Sequence, residues 1–296
     1  MSPRFGAGHP GATHKGHAMI DSPSLLLGLI GDNIAASRAP VLHGLAGQQS
    51  GITVRYDRLV PADLQQDFDA VFADCAAGGY RGINVTYPYK ERVTRQLRID
   101  DPLVRAMGAC NTVIFDADGP RGYNTDYSGF VAAYGHVRGA APTGPVLMVG
   151  SGGVGRAVAF GLARLGTRDL RIVDHDPVKA RALASALDVA APEMTVSLHG
   201  DVITAAAGAA GLINCTPVGM VGYDGTPVPQ AAMSGAEWAF DAVYTPVRTR
   251  FLTESEEQGL VILSGWELFF YQGVHAWAHF AGTPLDEGAL RAALLA

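Results

Sequence analysis

Residues 145–166 read PVLMVGSGGVGRAVAFGLARLG: an apolar strand, a glycine-rich turn and an amphipathic helix. Gly150, Gly152 and Gly155 stand in GxGxxG spacing, with Ser151, Gly153 and Val154 completing the loop. A dinucleotide site needs glycine at these places for three reasons. The turn is tight, the backbone must approach a pyrophosphate, and the helix must sit close to the strand. The N–H groups of the helix N-terminus then meet the negative charge. A glycine-rich turn without a ligand can share this spacing, but the preceding strand and following helix are the context that supports a nucleotide. The loop is not a hydrolase nucleophile elbow, because Val149 stands where Ser151 would need glycine.

The next strand ends LRIVDHD, placing Asp174 22 residues after Gly152. That is where an acid accepts hydrogen bonds from the adenine ribose. A carboxylate about 4 Å from a 2′-phosphate charge would cost roughly 1 kcal/mol in water and roughly 4 at an effective dielectric of 20. The upper figure is about a thousandfold in affinity. The expected cofactor is therefore NAD rather than NADP, even with His175 beside the acid.

The rest of the chain fits an α/β fold. Residues 25–30, 54–60 and 82–86 read as strands, with helices over 40–49 and 62–79 between them. After Asp101 the pattern changes to a hairpin, CNTVIFD, a DADG turn and RGYNT. A helix from about Asp126 and the segment RGAAPTGP bridge to a second βα series beginning at the glycine loop. The last piece, WELFFYQGVHAWAHFAG, is apolar on one helical face and should return to the first lobe. The expected organisation is a disordered tail (1–22), a substrate-binding domain (23–126), a Rossmann-type doubly wound domain (127–265) and returning C-terminal helices (266–296).

Composition narrows the partners. Net charge is −6, from 22 basic and 28 acidic residues without long blocks of either sign, which argues against nucleic acid or an anionic membrane. No apolar run reaches the ~18 residues a membrane span needs. Cys75, Cys110 and Cys215 are far apart and form no CxxC pair, so they read as buried free thiols in a reducing cytoplasm. His9, His14 and His17 in the tail, and the i, i+4 pair His275 and His279, read as incidental or packing residues; no metal is expected. The partner left is a small diffusible molecule, bound by a monomer or homodimer.

Lys90 follows the third strand and Asp126 follows the hairpin, both near the lobe junction. Interconverting an alcohol and a ketone needs one group to move the hydroxyl proton as hydride moves, and a lysine can do so. A neighbouring carboxylate orients the ammonium and also favours its charged form, two opposing effects. On position alone, a surface lysine paired with a helix-capping aspartate reads equally well.

NVTYPYK (84–90), GACNTV (108–113), GYNTD (122–126), the glycine loop, INCTPVGM (213–220), DAVYTPVRTRFL (241–252) and YQ (271–272) occur together in order. This ensemble resembles the shikimate dehydrogenase family over nearly the whole chain from about residue 25. The resemblance implies a two-domain α/β enzyme interconverting 3-dehydroshikimate and shikimate, or dehydroquinate and quinate, with a nicotinamide cofactor. Lys90 and Asp126 match the family's catalytic pair. Thr86, Asn111 and Gln272 match contacts to the ring hydroxyls, and Tyr244 matches a substrate contact closing the nicotinamide side. Thr216, Val243 and Gly265 fall on cofactor-lining positions.

One departure stands out. The family's opening Ser-x-Ser-Pro, whose hydroxyls hold the substrate carboxylate, is here Ser37-Arg38-Ala39-Pro40. A hydrogen bond to a charged group is worth roughly 1.5–3 kcal/mol, so the missing hydroxyl weakens carboxylate binding by about one to two orders of magnitude unless Arg38 compensates. Ser-Arg-Ala-Pro is one residue from the Ser-Arg-Thr-Pro of NAD-dependent quinate/shikimate dehydrogenases. With Asp174, it favours that group over NADP-dependent biosynthetic enzymes and leaves room for an aminoshikimate. A sensor that binds NAD or a shikimate-like ligand without turnover is the alternative of another class.

Overall fold

The structure, a computed structural model, describes residues 24–296. The tail expected over 1–22, with His9, His14 and His17, lies outside the described residues.

The chain runs β1 (Ser24–Ile30), α1 (Ala39–Ser50), β2 (Thr53–Leu59), α2 (Phe68–Ala77), β3 (Gly82–Val85), a 3-10 turn (Arg92–Gln96), α3 (Pro102–Met107), β4 (Thr112–Asp116) and β5 (Gly119–Tyr123). These strands form a sheet in the order β2-β1-β3-β4-β5. β1 is parallel to β2 and β3, while β4 and β5 form the antiparallel hairpin expected from the sequence. The helix expected over 62–79 is shorter. Gln65 adopts a left-handed φ of 55°, and the Asp67 carboxylate caps the N–H of Ala70, so α2 starts only at Phe68.

α4 (Thr125–Arg138) then leads into β6 (Val146–Val149), α5 (Gly153–Arg164), β7 (Asp169–Val173), α6 (Pro177–Ala190), β8 (Thr195–His199), α7 (Val202–Ala206), β9 (Gly211–Asn214), β10 (Trp238–Asp241), α8 (Arg250–Glu257) and β11 (Val261–Leu263). This sheet is wholly parallel, in the order β11-β10-β9-β6-β7-β8. The order reverses direction beside β6, giving a crevice at the carboxyl ends of the strands. β6 is buried on both faces: Val146 and Met148 face Phe160, Ile172 and Phe240, while Leu147 packs with Leu212, Ala239 and Phe251.

α9 (Gly265–Ala281) and α10 (Glu287–Leu295) complete the chain. α9 packs on the first sheet, where Trp277 and Phe280 meet Leu27 and Ile114. The opposite face of that sheet is filled by Phe68, Phe72, Ile83 and Val85.

Candidate active site

Strand register explains how distant residues meet. In the first sheet Ile30 pairs with Val85, Asn84 with Thr112, and Thr112 with Tyr123. Gly31, Thr86, Asn111 and Asn124 therefore line one edge. In the second, Val149 pairs with Val173 and with Asn214, which pairs with Asp241. Its carboxyl edge thus carries the glycine loop, Asp174, Cys215 and Ala242. The two edges face each other: a methyl group on Gly153 would sit 3.3 Å from Lys90 Cδ.

At the centre Lys90 Nζ donates to Asp126 Oδ2 at 2.6 Å, with the two side chains 15% and 9% exposed. The turn delivering Lys90 is tied at several points. Tyr89 N–H bonds the Thr86 carbonyl, Tyr89 Oη donates to Asp32, its ring stacks on Phe68, and Cys110 N–H bonds the Lys90 carbonyl. The Tyr87–Pro88 peptide is cis. Asp126 lies in the first turn of α4, whose cap Asn124 accepts from Tyr127 N–H and donates to the Ala109 carbonyl.

Asn111 is oriented by its surroundings. Its Oδ1 accepts from the Thr125 N–H at 2.7 Å and from the Thr112 and Thr125 hydroxyls. A backbone N–H can only donate, so this assignment leaves Nδ2 as a donor without a protein partner among the described residues. Asn84, a buried polar residue in a strand, bonds the Asn111 carbonyl and Thr112 and accepts from Tyr56 Oη. Sequence reading passed over Asn84; its signal was an amide inside the apolar run GINV. Thr86 has its methyl against Gly31, where an added Cβ would come within 2.3 Å, and its hydroxyl has no partner among the described residues.

Gly129, one turn beyond Asp126, lets α9 cross α4 closely and brings Gln272 beside α4: a Cβ there would lie 3.0 Å from Gln272 Cα. Gln272 Nε2 bonds the Phe269 carbonyl. Tyr244 stacks on Phe269 at 5.2 Å. Ser37 Oγ accepts from the Ala39 N–H, and Arg58 holds the Ser37 carbonyl. Arg38, the candidate to compensate for Ala39, is engaged elsewhere: it donates to the Leu294 carbonyl near the end of α10 and lies over Trp266.

On the facing edge Gly150 has φ 98°, and a Cβ on Gly155 would lie 2.3 Å from the Gly150 carbonyl oxygen, so the loop tolerates only glycine at both. Gly152 begins α5 with no side-chain cap and its bare Cα faces open space, the cradle an anion would fill. The Asp174 side chain is 4% exposed. Its Oδ2 accepts from Ser151 N–H and Oγ, and its Oδ1 from Asp176 N–H. Burial alone would raise this carboxyl; the bonds from Ser151 and Asp176 outweigh it and hold the group below the ordinary carboxylate range. Thr216 bonds the Asn214 side chain through N–H and Oγ1. Gly265 opens α9 against the carbonyls of Asp241, Ala242 and Val243.

All three cysteines are free and buried. His275 Nδ1 bonds Ser128 and His279 stacks on Tyr123. Among the described residues there is no group of three or more potential metal ligands and no helix long and apolar enough to cross a membrane.

A doubly wound sheet with a glycine loop, facing an ion-paired lysine across a cleft, defines the class: a two-domain α/β dehydrogenase. Residues 29–113 match the model of the shikimate dehydrogenase substrate binding domain. The chain is 35% identical to a quinate/shikimate dehydrogenase (NAD(+)) of Corynebacterium efficiens, over 93% of this chain and 99% of that one. It is 36% identical to a shikimate dehydrogenase (NADP(+)) of Halobacterium salinarum, over 91% and 98%. The solved quinate dehydrogenase of Corynebacterium glutamicum in complex with NAD superposes with a TM-score of 0.86 at 32% identity, covering 93% of this chain and 99% of that one. The chain belongs to the shikimate dehydrogenase family.

Proposed function

We propose that the protein is an NAD-dependent quinate/shikimate dehydrogenase acting on a small cyclic hydroxy acid in the cytoplasm. The observation that carries this reading is the Lys90–Asp126 pair at 2.6 Å, with the lysine stem against Gly153 of the nucleotide loop. Proton-transfer machinery and nucleotide cradle thus share one cleft.

NAD, when bound, supplies the hydride acceptor. Its pyrophosphate would be held by the loop Gly150, Ser151, Gly152, Gly153, Val154 and Gly155 at the start of α5. Asp174 discriminates at the adenosine end: an ionised, nearly buried carboxylate tolerates ribose hydroxyls and repels a 2′-phosphate. Thr216, Val243 and Gly265 line the nicotinamide end. Thr86 Oγ1 and Asn111 Nδ2 have no partner in the protein among the described residues, which suits them to the substrate's ring hydroxyls. Gln272 adds a contact by exchanging its bond to Phe269. Ser37 takes the carboxylate, and Tyr244 closes the nicotinamide side. Lys90 Nζ moves the proton of the reacting hydroxyl, and Asp126 holds the ammonium in place.

The test is steady-state kinetics with quinate, shikimate and aminoshikimate, each with NAD and NADP, following reduced nicotinamide. Turnover of quinate or shikimate with a preference for NAD is expected. NAD binding without turnover of any of the acids would favour a sensor, and a preference for NADP would overturn the role given to Asp174. The panel includes aminoshikimate because Ala39 removes a hydroxyl from the carboxylate end.

A further inference from the structure

We propose that Asn214, Asp241 and Thr249 are positioning residues: one buried strut that sets the two loops lining the nicotinamide end of the cleft. Asn214 ends β9 and Asp241 ends β10, paired in register on neighbouring strands. Both are fully buried and Thr249 is nearly so. Asn214 Nδ2 donates to Asp241 Oδ1 and to the Val218 carbonyl, both at 2.9 Å. Its Oδ1 accepts from Thr216 N–H at 2.9 Å and Oγ1 at 2.7 Å. Asp241 Oδ1 also accepts from Val243 N–H at 2.9 Å, and Oδ2 from Thr249 Oγ1 at 2.6 Å. Thr249 Oγ1 in turn caps the N–H of Leu252 in α8.

Beyond their mutual bond, Asn214 and Asp241 direct their side chains to residues 216–218 after β9 or 243–249 after β10. Loop position is what the network determines. The second loop also meets the start of α9, since a Cβ on Gly265 would lie 2.6 Å from the Val243 carbonyl oxygen. Thr216, Val243 and Gly265 are therefore all referenced to one carboxylate. That carboxylate forms no salt bridge among the described residues. Burying a charge against neutral donors is costly, and a structural turn could be closed by a neutral amide. What the charge adds is shorter, stronger bonds to fixed donors, hence a stiff lining where a flat ring must be held.

This inference rests on the reading that the cleft binds NAD, and its test separates the two. NAD and ADP-ribose, which lacks the nicotinamide, are titrated calorimetrically into the full chain: wild type, Asp241→Asn, Thr249→Val and Thr249→Ser. The wild type should bind both. Asp241→Asn and Thr249→Val should weaken NAD about tenfold, as expected for a lost bond to a charged group, and change ADP-ribose less than about twofold. Thr249→Ser, which keeps the hydroxyl, should restore NAD binding. Retained ADP-ribose binding reports an intact fold, and Thr249→Val carries the test if Asp241→Asn does not fold. Equal weakening of the two ligands, or no change in either, would overturn the strut's role. Failure of the wild type to bind either ligand would instead remove the cofactor reading and the strut with it.

Discussion

The two lobes surround their carboxylates differently. In the first, Asp126 faces an ammonium across a partly open cleft, one charge against one charge. In the second, Asp174 and Asp241 are held mainly by neutral donors at opposite ends of one sheet edge. These two diverge as well. Burial opposes ionisation at both, yet the bonds to Asp174 outweigh it, whereas at Asp241 burial wins and pushes the carboxyl up to about 6. An ion pair at a cleft suits the proton transfer proposed for Lys90, and a cradle of dipoles suits a group that must keep its place.

Removing the ion pair should have the largest effect. Lys90→Ala is expected to lower kcat for the acid substrate by about 10²–10⁴-fold while the thermal midpoint changes little. Turnover near wild type would break the contrast between the lobes. Next in size, Asp174→Ser should raise the NADP-to-NAD ratio of kcat/KM by up to about a thousandfold, because a charge opposing the 2′-phosphate is gone. An unchanged ratio would mean the selectivity lies elsewhere.

Asp241 makes an opposite prediction about stability. Its folded carboxyl titrates above its ordinary value of 3.8, so the folded state favours the proton. Its contribution is most favourable below about pH 4 and is lost as pH rises through about 6, an effect of roughly 2–3 kcal/mol. The adjacent titratable group, Cys215, is pushed well above its ordinary range by burial and stays neutral throughout. The slope of unfolding free energy over this window should flatten in Asp241→Asn, measured by denaturant titration at several pH values. The smallest change is Ala39→Ser, which restores a hydroxyl beside Ser37. It should lower KM for the acid about tenfold, and leave KM for NAD unmoved.

Much of this was legible in the chain because the relevant signals are local. Strand, glycine loop and helix at 145–166 lie in one continuous stretch, and the hairpin announces itself by a DADG turn between apolar runs. Lys90 and Asp126 each sit in a short motif of their own. α3 escaped notice because six residues are too few to display a helical period. The start of α2 is not legible in composition because Asp67 and Gln65, both compatible with a helix, act through a cap and a left-handed turn. Asn214 and Asp241 carry no local signal of partnership. Asn214 and Asp241 are 27 residues apart and become partners only when β9 and β10 lie side by side.

Gly153 gives the cleft its gauge. The Lys90 stem rests near a residue that offers only hydrogen, so an added methyl would already press on it at 3.3 Å. A methyl there would ask Lys90 to yield by a few tenths of an ångström, a fraction of the roughly 1 Å misplacement that can cost a reaction about a hundredfold. With Lys90 in the role proposed for it, the fit between the two lobes would be set by one glycine of the loop.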